Sequence, residues 1–162
     1  MRVIVIADTH LRDGVAGRLP PPLLRALEGA DLALHAGDVV TATALEELRA
    51  LAPTRAVLGN NDHELHGLVP ERLQLELSGL PVAMIHDSGQ RAGREARLHR
   101  LFPAAALVVF GHSHVPLDAA GLGGQRLFNP GSPTQRRSQP RCSYGWLEIA
   151  DGALRAHGIV EV

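Results

Sequence analysis

The sequence predicts an α/β fold built on two β-sheets. Three observations carry that expectation. Apolar strand-like runs alternate with helical stretches in the first third of the chain; the second half changes to closely spaced strands with tight turns; and strands in both halves stop at turns bearing Gly, Asp, Asn or His. Strand–helix–strand alternation implies right-handed crossovers and a largely parallel sheet.

Each element has its own signal. Arg2–Ile6 holds the β-branched run Val3–Ile6, the pattern of a strand buried on both faces. Leu23–Leu27 reads as a short helix opening after Pro20–Pro22. Asp31–Leu34 is a second strand, ending at His35-Ala36-Gly37-Asp38. Thr41–Leu51 has helical spacing, with Leu45, Leu48 and Leu51 on one side and Thr43 as a candidate cap. Arg55–Leu58 is a third strand, stopping at Gly59-Asn60-Asn61-Asp62. Leu73–Leu77 and Pro81–Ile85 flank Ser78-Gly79 and predict an antiparallel hairpin. Arg91–Leu101 reads as a basic surface helix, and Ala106–Phe110 as a buried strand ending at Gly111-His112-Ser113-His114. Gln125–Phe128, Ser143–Ile149 and Ala153–Val160 close the chain as strands, the last two joined at Asp151-Gly152.

Composition narrows the function. With 162 residues, 45% hydrophobic content and a net charge of −1, the expectation is one domain over 1–162, neither disordered nor fibrous. No apolar run is long enough to span a bilayer, and the first residues lack the regions of a signal peptide. The single Cys142 excludes an internal disulfide framework and a cysteine zinc knuckle, so a cytoplasmic location is expected. The balanced charge gives no footprint for a stable nucleic-acid partner. All sixteen basic residues are Arg. Without Lys, P-loop phosphate binding and Schiff-base chemistry drop out. Nine His stand out, because imidazole is a common metal ligand and carries protons near neutral pH.

The positions of the polar clusters matter more than their number. Asp8-Thr9-His10, Gly37-Asp38, Gly59-Asn60-Asn61-Asp62, His86 and Gly111-His112-Ser113-His114 each come after a strand. Ligands in open α/β sheets bind outside the carboxyl edge, so five strand ends direct these side chains to one crevice. Taken singly, each is ordinary: an Asp after a strand often caps a helix, and a lone His is often a core residue. Together, Asp and Asn oxygens with imidazoles suit Mn²⁺, Fe²⁺ or Zn²⁺. Seven such side chains are too many for one small ion and suit two sharing a carboxylate.

In this set and order the motifs resemble the calcineurin-like metallophosphoesterases. The length and Asn129-Pro130-Gly131-Ser132 resemble their small bacterial and archaeal phosphodiesterase branch. The resemblance implies a four-layer α/β/β/α sandwich, two mixed sheets flanked by helices. It implies one metal held by Asp8, His10, Asp38 and His114, and a second by Asp38, Asn60, His86 and His112, with Asp38 bridging. Two divalent ions about 3.5–4 Å apart, Mn²⁺ foremost with Zn²⁺, Fe²⁺ or Ni²⁺ as alternatives, would generate a bridging hydroxide for in-line attack on phosphorus. The implied partner is a small phosphate-ester substrate. His35 and Asp62 are expected behind the ligands, His35 orienting the Asp38 loop.

Departures from the family pattern set further expectations. Where many relatives have a His after the ligand Asn, this chain has Asn61, which can contact a leaving group or phosphate but cannot donate a proton near neutrality. His63 either substitutes for it or is solvated. Asp87 either acidifies the pocket or caps the next helix. Arg136 and Arg137 either reach a substrate phosphate or form a solvated pair. Arg91, Arg94, Arg97 and Arg100 share one helix face, read as surface. The rival to an enzyme is a binding protein on the same fold, as in a vacuolar sorting subunit similar to this family. A filled set of ligand positions argues for the enzyme, and Asn61 for the rival.

Overall fold

The computed structural model describes residues 1–12, 15 and 17–162. Two five-stranded mixed sheets face each other with helices outside. The first sheet contains β1 (Arg2–Ile6), β2 (Leu32–His35), β3 (Thr54–Ala56), β9 (Ser143–Ala150) and β10 (Ala153–Glu161), in the order β10-β9-β1-β2-β3. The second contains β4 (Arg72–Leu77), β5 (Leu80–Ile85), β6 (Leu107–Val109), β7 (Leu117–Ala120) and β8 (Arg126–Asn129), in the order β4-β5-β6-β8-β7. Helices α1 (Pro21–Glu28) and α2 (Ala42–Leu51) cover the first sheet, and α3 (Arg94–Leu101) the second.

Strand alternation separates the layers. Val3 and Val5 of β1 face the second sheet, where Val82, Met84, Val109 and Phe128 meet them. Ile4 and Ile6 face the other way, onto Leu23 and Leu27 of α1 and Leu45 and Leu48 of α2. Both faces of β1 are dry, as its continuous β-branched run predicts. Each fully buried Leu or Ile contributes about 1.5–3 kcal/mol by leaving water. On the outer side of the second sheet, Val108, Phe110 and Leu127 pack on Leu98 of α3 and on Phe102 just after it.

Parallel pairing matters most for the site. β1 runs parallel to β2 and β2 to β3; β5 runs parallel to β6 and β6 to β8. Each sheet therefore presents three carboxyl ends at one edge. The hairpins join as expected: Ser78 and Gly79, like Asp151 and Gly152, have φ between +46° and +84°, the left-handed pair of a tight two-residue turn.

Several expectations need correction. The cap of α2 is Thr41, not Thr43; its side chain accepts from the Ala44 N–H at 3.2 Å. Helix α3 begins at Arg94 because Gly93 is left-handed, so it is shorter than Arg91–Leu101. The Arg face is not purely surface: Arg94 lies over the Phe110 ring at 5.1 Å, and Arg97 donates to Ser88 O and Gln90 O. Strand β7 is additional to the expected strands. Its Leu-Asp-Ala-Ala composition carries little strand preference, and its position at the sheet edge asks little of it. Asp87 caps no helix; it accepts the Gly89 N–H at 2.6 Å within its own turn.

Candidate metal centre

The loops after β1 and β2 continue the strand pairing beyond the sheet. The N–H groups of Asp8, His10 and Leu11 donate to the carbonyls of Gly37, Asp38 and Val39, each at 2.9 Å. This zipper brings Asp8, His10 and Asp38 side by side. The loop after β3 is locked to them by Asp62, which is fully buried and accepts the N–H groups of Asp38 (2.9 Å), Val40 (2.6 Å) and Gly59 (2.7 Å). Gly59 must lack a side chain, since a Cβ there would lie 2.2 Å from Asp38 N and Oδ1. Gly37 is constrained likewise: its φ is +91°, and a Cβ would lie 2.6 Å from His86 Nδ1.

Five of the seven expected ligands, Asp8, His10, Asp38, His112 and His114, have φ between +47° and +68°. Non-glycine residues rarely occupy this region, and such strain concentrates where side chains must be aimed.

All seven converge. In the first group His10 Nε2 is 3.4 Å from His114 Nε2, His114 Nε2 is 3.5 Å from Asp8 Oδ1, and His10 Nε2 is 3.7 Å from Asp38 Oδ2. In the second, His86 Nε2 is 3.6 Å from Asp38 Oδ2 and 3.0 Å from Asn60 Oδ1, which is 2.9 Å from His112 Nδ1. His86 Nε2 also stands 4.0 Å from Asp8 Oδ1. Donor atoms about 2.1 Å from one ion stand roughly 3.0–3.4 Å apart in octahedral or tetrahedral geometry. The observed spacings, 2.9–4.0 Å, begin at that separation and extend up to about 0.6 Å beyond it.

The protonation pattern fits a cation as well. His86 Nδ1 contacts the Ala36 carbonyl and His114 Nδ1 the Gln135 carbonyl, both at 2.7 Å. A carbonyl only accepts, so both rings carry a proton on Nδ1 and turn Nε2 into the cluster. Both Asp8 carboxylate oxygens are buried with no hydrogen-bond partner. These atoms, with the unpartnered Asp8 carboxylate among them, are a candidate donor set for metal ions.

Electrostatics point to the same arrangement. Burial, with Asp38 adding repulsion, pushes the Asp8 carboxyl up to about 8 in the metal-free chain. Asp38 goes the other way: burial raises it, but the Asn61 N–H, the imidazoles of His86 and His10 and the Asn61 amide prevail and hold it below the ordinary value. Burial lowers His10 and His114, keeping them in the neutral form that binds metal. His35, wholly buried, is pushed down to about 3 by burial and then by His86.

The other candidate residues lie around this cluster. His35 Nε2 pairs with Thr9 Oγ1 at 2.9 Å, so it supports the Asp8–His10 loop and not the Asp38 loop. Asn61 does not face outward; its amide donates to Asp38 Oδ2 at 2.7 Å and its N–H to Asp38 Oδ1 at 2.8 Å. His63 is exposed on a 3₁₀ turn with its ring 6.4 Å from that of His66, and among the described residues no hydrogen bond links it to the seven. Arg137 donates to His112 O at 3.3 Å beside the cluster, while Arg136 bonds to Gln139 O in its own loop.

Residues at the end of β8 and just after it hold the site together, a role the sequence alone left undefined. Buried Asn129 donates to Gly111 O and Ser113 Oγ; Ser132 Oγ donates to Asp8 O at 2.7 Å; Thr134 Oγ1 donates to Thr9 O at 2.8 Å. The signal available was Asn129 in a Gly-bearing turn at a strand end, like Asn60.

The sequence model of the calcineurin-like phosphoesterase superfamily domain matches residues 1–152. The chain belongs to that family. A probable metallophosphoesterase of Methanothermobacter thermautotrophicus is 34% identical over 139 residues, covering 85% of this chain and 80% of that one. Another, from Methanocaldococcus jannaschii, is 35% identical over 147 residues, 88% of this chain and 71% of its own. The family is metal-dependent, and the chain carries candidate ligands for it. Two solved structures share the fold alone. An archaeal phosphodiesterase aligns at TM-score 0.76 and 19% identity over the whole of both chains. Vps29 of Entamoeba histolytica in complex with zinc aligns at 0.77 and 23%, covering 100% of this chain and 98% of that one. No helix among the described residues is long and apolar enough to cross a membrane.

Proposed function

We propose that this metallophosphoesterase is a phosphodiesterase acting on a small phosphate ester with two divalent ions. Asp8, His10, Asp38 and His114 would hold one ion, and Asp38, Asn60, His86 and His112 the other. The observation that carries the reading is the convergence of these seven side chains in two groups sharing Asp38 Oδ2. The mixed oxygen and imidazole set favours Mn²⁺, with Zn²⁺, Fe²⁺ and Ni²⁺ also suited to it. When bound, such ions activate water at neutral pH and neutralise phosphate charge during in-line displacement.

The chain's own residues do the rest. Asp62 holds three backbone N–H groups so that the Asp38 and Asn60 loops keep their spacing. Ala36 O and Gln135 O fix the two imidazole tautomers. Arg137, exposed and hydrogen-bonded to His112 O, would meet a non-bridging phosphate oxygen. No proton donor stands where many relatives have one, so esters with good leaving groups are favoured.

The test is hydrolysis of bis(p-nitrophenyl) phosphate and p-nitrophenyl phosphate with Mn²⁺, Zn²⁺, Ni²⁺ or chelator, on the wild type and His112→Ala. Metal-dependent turnover, greater on the diester and lost in the variant, is expected. Turnover unaffected by chelator, or intact in His112→Ala, would overturn the reading. Metal binding without any turnover would favour a binding protein, the reading that Asn61 and the Vps29-like fold support.

A further inference from the structure

The proposed centre lies between two clefts of opposite character. One, of about 340 Å³, opens on the first ligand group through Thr9 and His10 and is also lined by Arg12, Arg18, Thr134 and Gln135. No carboxylate is among the described residues lining it. The other, of about 320 Å³, opens on the second group through Asn60, His86 and His112. Its further walls are apolar at Leu58 and Ile85, and its carboxylates are Glu71 and Asp87, with Arg72 opposing them.

A phosphodiester has two arms on opposite sides of its phosphorus, and two clefts meet them here. The arms are not equivalent in this field. An arm with a negative charge would meet the Arg12 guanidinium in the first cleft and, in the second, two carboxylates against one guanidinium. Thr9 and Thr134 are already committed, the first to His35 and the second to backbone carbonyls, so charge discrimination in the first cleft falls to Arg12. We infer that the substrate is an asymmetric phosphodiester. One arm carries a second anionic group and binds against Arg12 in the cleft beside His10; the other arm is uncharged and partly apolar and occupies the cleft beside Asn60. This rests on the phosphodiesterase reading above and names its substrate class.

The experiment uses three p-nitrophenyl phosphodiesters with one common leaving group and a second arm of propyl, 2-carboxyethyl or choline. They are assayed with Mn²⁺ on the wild type, Arg12→Gln and Arg12→Glu. The wild type is expected to favour carboxyethyl over propyl by about fivefold in kcat/KM, the yield of one solvent-exposed charge pair, and propyl over choline. The difference should sit in KM, because the arm is remote from the reacting atoms. Arg12→Gln should flatten the series and Arg12→Glu invert it. Ratios within each variant cancel any loss of folded or metal-loaded protein. A flat wild-type series, or a carboxyethyl preference that survives in Arg12→Glu, overturns this inference while leaving the phosphodiesterase reading intact. Failure of all three esters to react with any metal overturns both.

Discussion

The two sheets contribute different chemistry to one site. Loops of the first sheet supply the oxygen donors Asp8, Asp38 and Asn60, with His10 the single imidazole; loops of the second supply only imidazoles, His86, His112 and His114. The halves are also held differently. The first-sheet loops brace one another through backbone pairing and Asp62. The second-sheet imidazoles are aimed from outside their own loops, His86 by Ala36 and His114 by Gln135. The anionic half is therefore unfavourable without a cation, as the raised Asp8 shows, while burial lowers His114 in the imidazole half and favours its neutral form. A metal centre assembled this way has its charge on one wall and its aim on the other.

The largest break in that comparison is at Asp38, the carboxylate common to both proposed groups. Asp38→Ala should remove both ions, whereas His112→Ala should remove one. Loss of a mere orienting partner costs about 10–100-fold in metal affinity or activity, so Asp38→Ala is expected to exceed 100-fold in turnover. Metal content per chain, read by emission spectroscopy, separates the two variants. Equal metal loss from both would contradict the shared role of Asp38.

Next is Asp62, which binds no ion in this scheme. Asp62→Ala leaves three backbone N–H groups without their acceptor, two of them around Asp38. A stability loss on the order of 3 kcal/mol is expected, with metal affinity weakened by about 10–100-fold. Denaturant midpoints and chelator competition measure the two effects. His35→Ala, which frees only Thr9, should cost less in both.

Metal removal sharpens the contrast through pH. Asp8 stands above its unfolded value, so its neutral form stabilises the metal-free fold below about pH 4, and that contribution is lost as pH rises through about 8. Asp38, depressed, works oppositely: its contribution is present above its unfolded value and is lost as pH falls. A divalent ion needs both ionised, so metal binding displaces a proton from Asp8 below pH 8 and tightens as pH rises. Thermal melting with and without Mn²⁺ should show a metal-induced rise at pH 8 of about 5–10 °C, near saturation, and a much smaller rise at pH 5. An equal rise at both pH values would count against Asp8 as a ligand.

Much of this is legible in the chain itself, for a physical reason. Parallel strands share a carboxyl edge, so the seven candidate ligands can be grouped by strand ends without any knowledge of sheet packing. The features hidden from the sequence depend on side-chain direction. Nothing local tells that the Asn61 amide turns back onto Asp38, that His35 supports Thr9, or that Arg94 lies over Phe110. Strand β7 is hidden because an edge strand can form from residues with weak preference once a neighbour offers its open edge. The left-handed backbone of the candidate ligands His112 and His114 is invisible too, since His carries no signal for positive φ comparable to that of Gly.

The smallest predicted effect concerns Asn61, where the anionic wall meets the leaving group. Its amide is spent on Asp38 Oδ2, an oxygen that two ions would also claim. Ions held by Asp38 would compete with the amide for that carboxylate, and an amide so displaced would be free to contact a substrate. Even released, an amide donates a hydrogen bond and not a proton. Asn61→His restores a titratable group at that position and should raise kcat for esters with alkyl leaving groups by about tenfold, well below the 10²–10⁴ of a fully tuned general acid. Esters of nitrophenolate, which depart without a proton, should change little. The gain should also add a falling limb to the pH–rate profile as the new imidazole loses its proton. A uniform change on both ester classes would instead mean that residue 61 acts through Asp38 and the metals, joining it to the anionic wall and not to the leaving group.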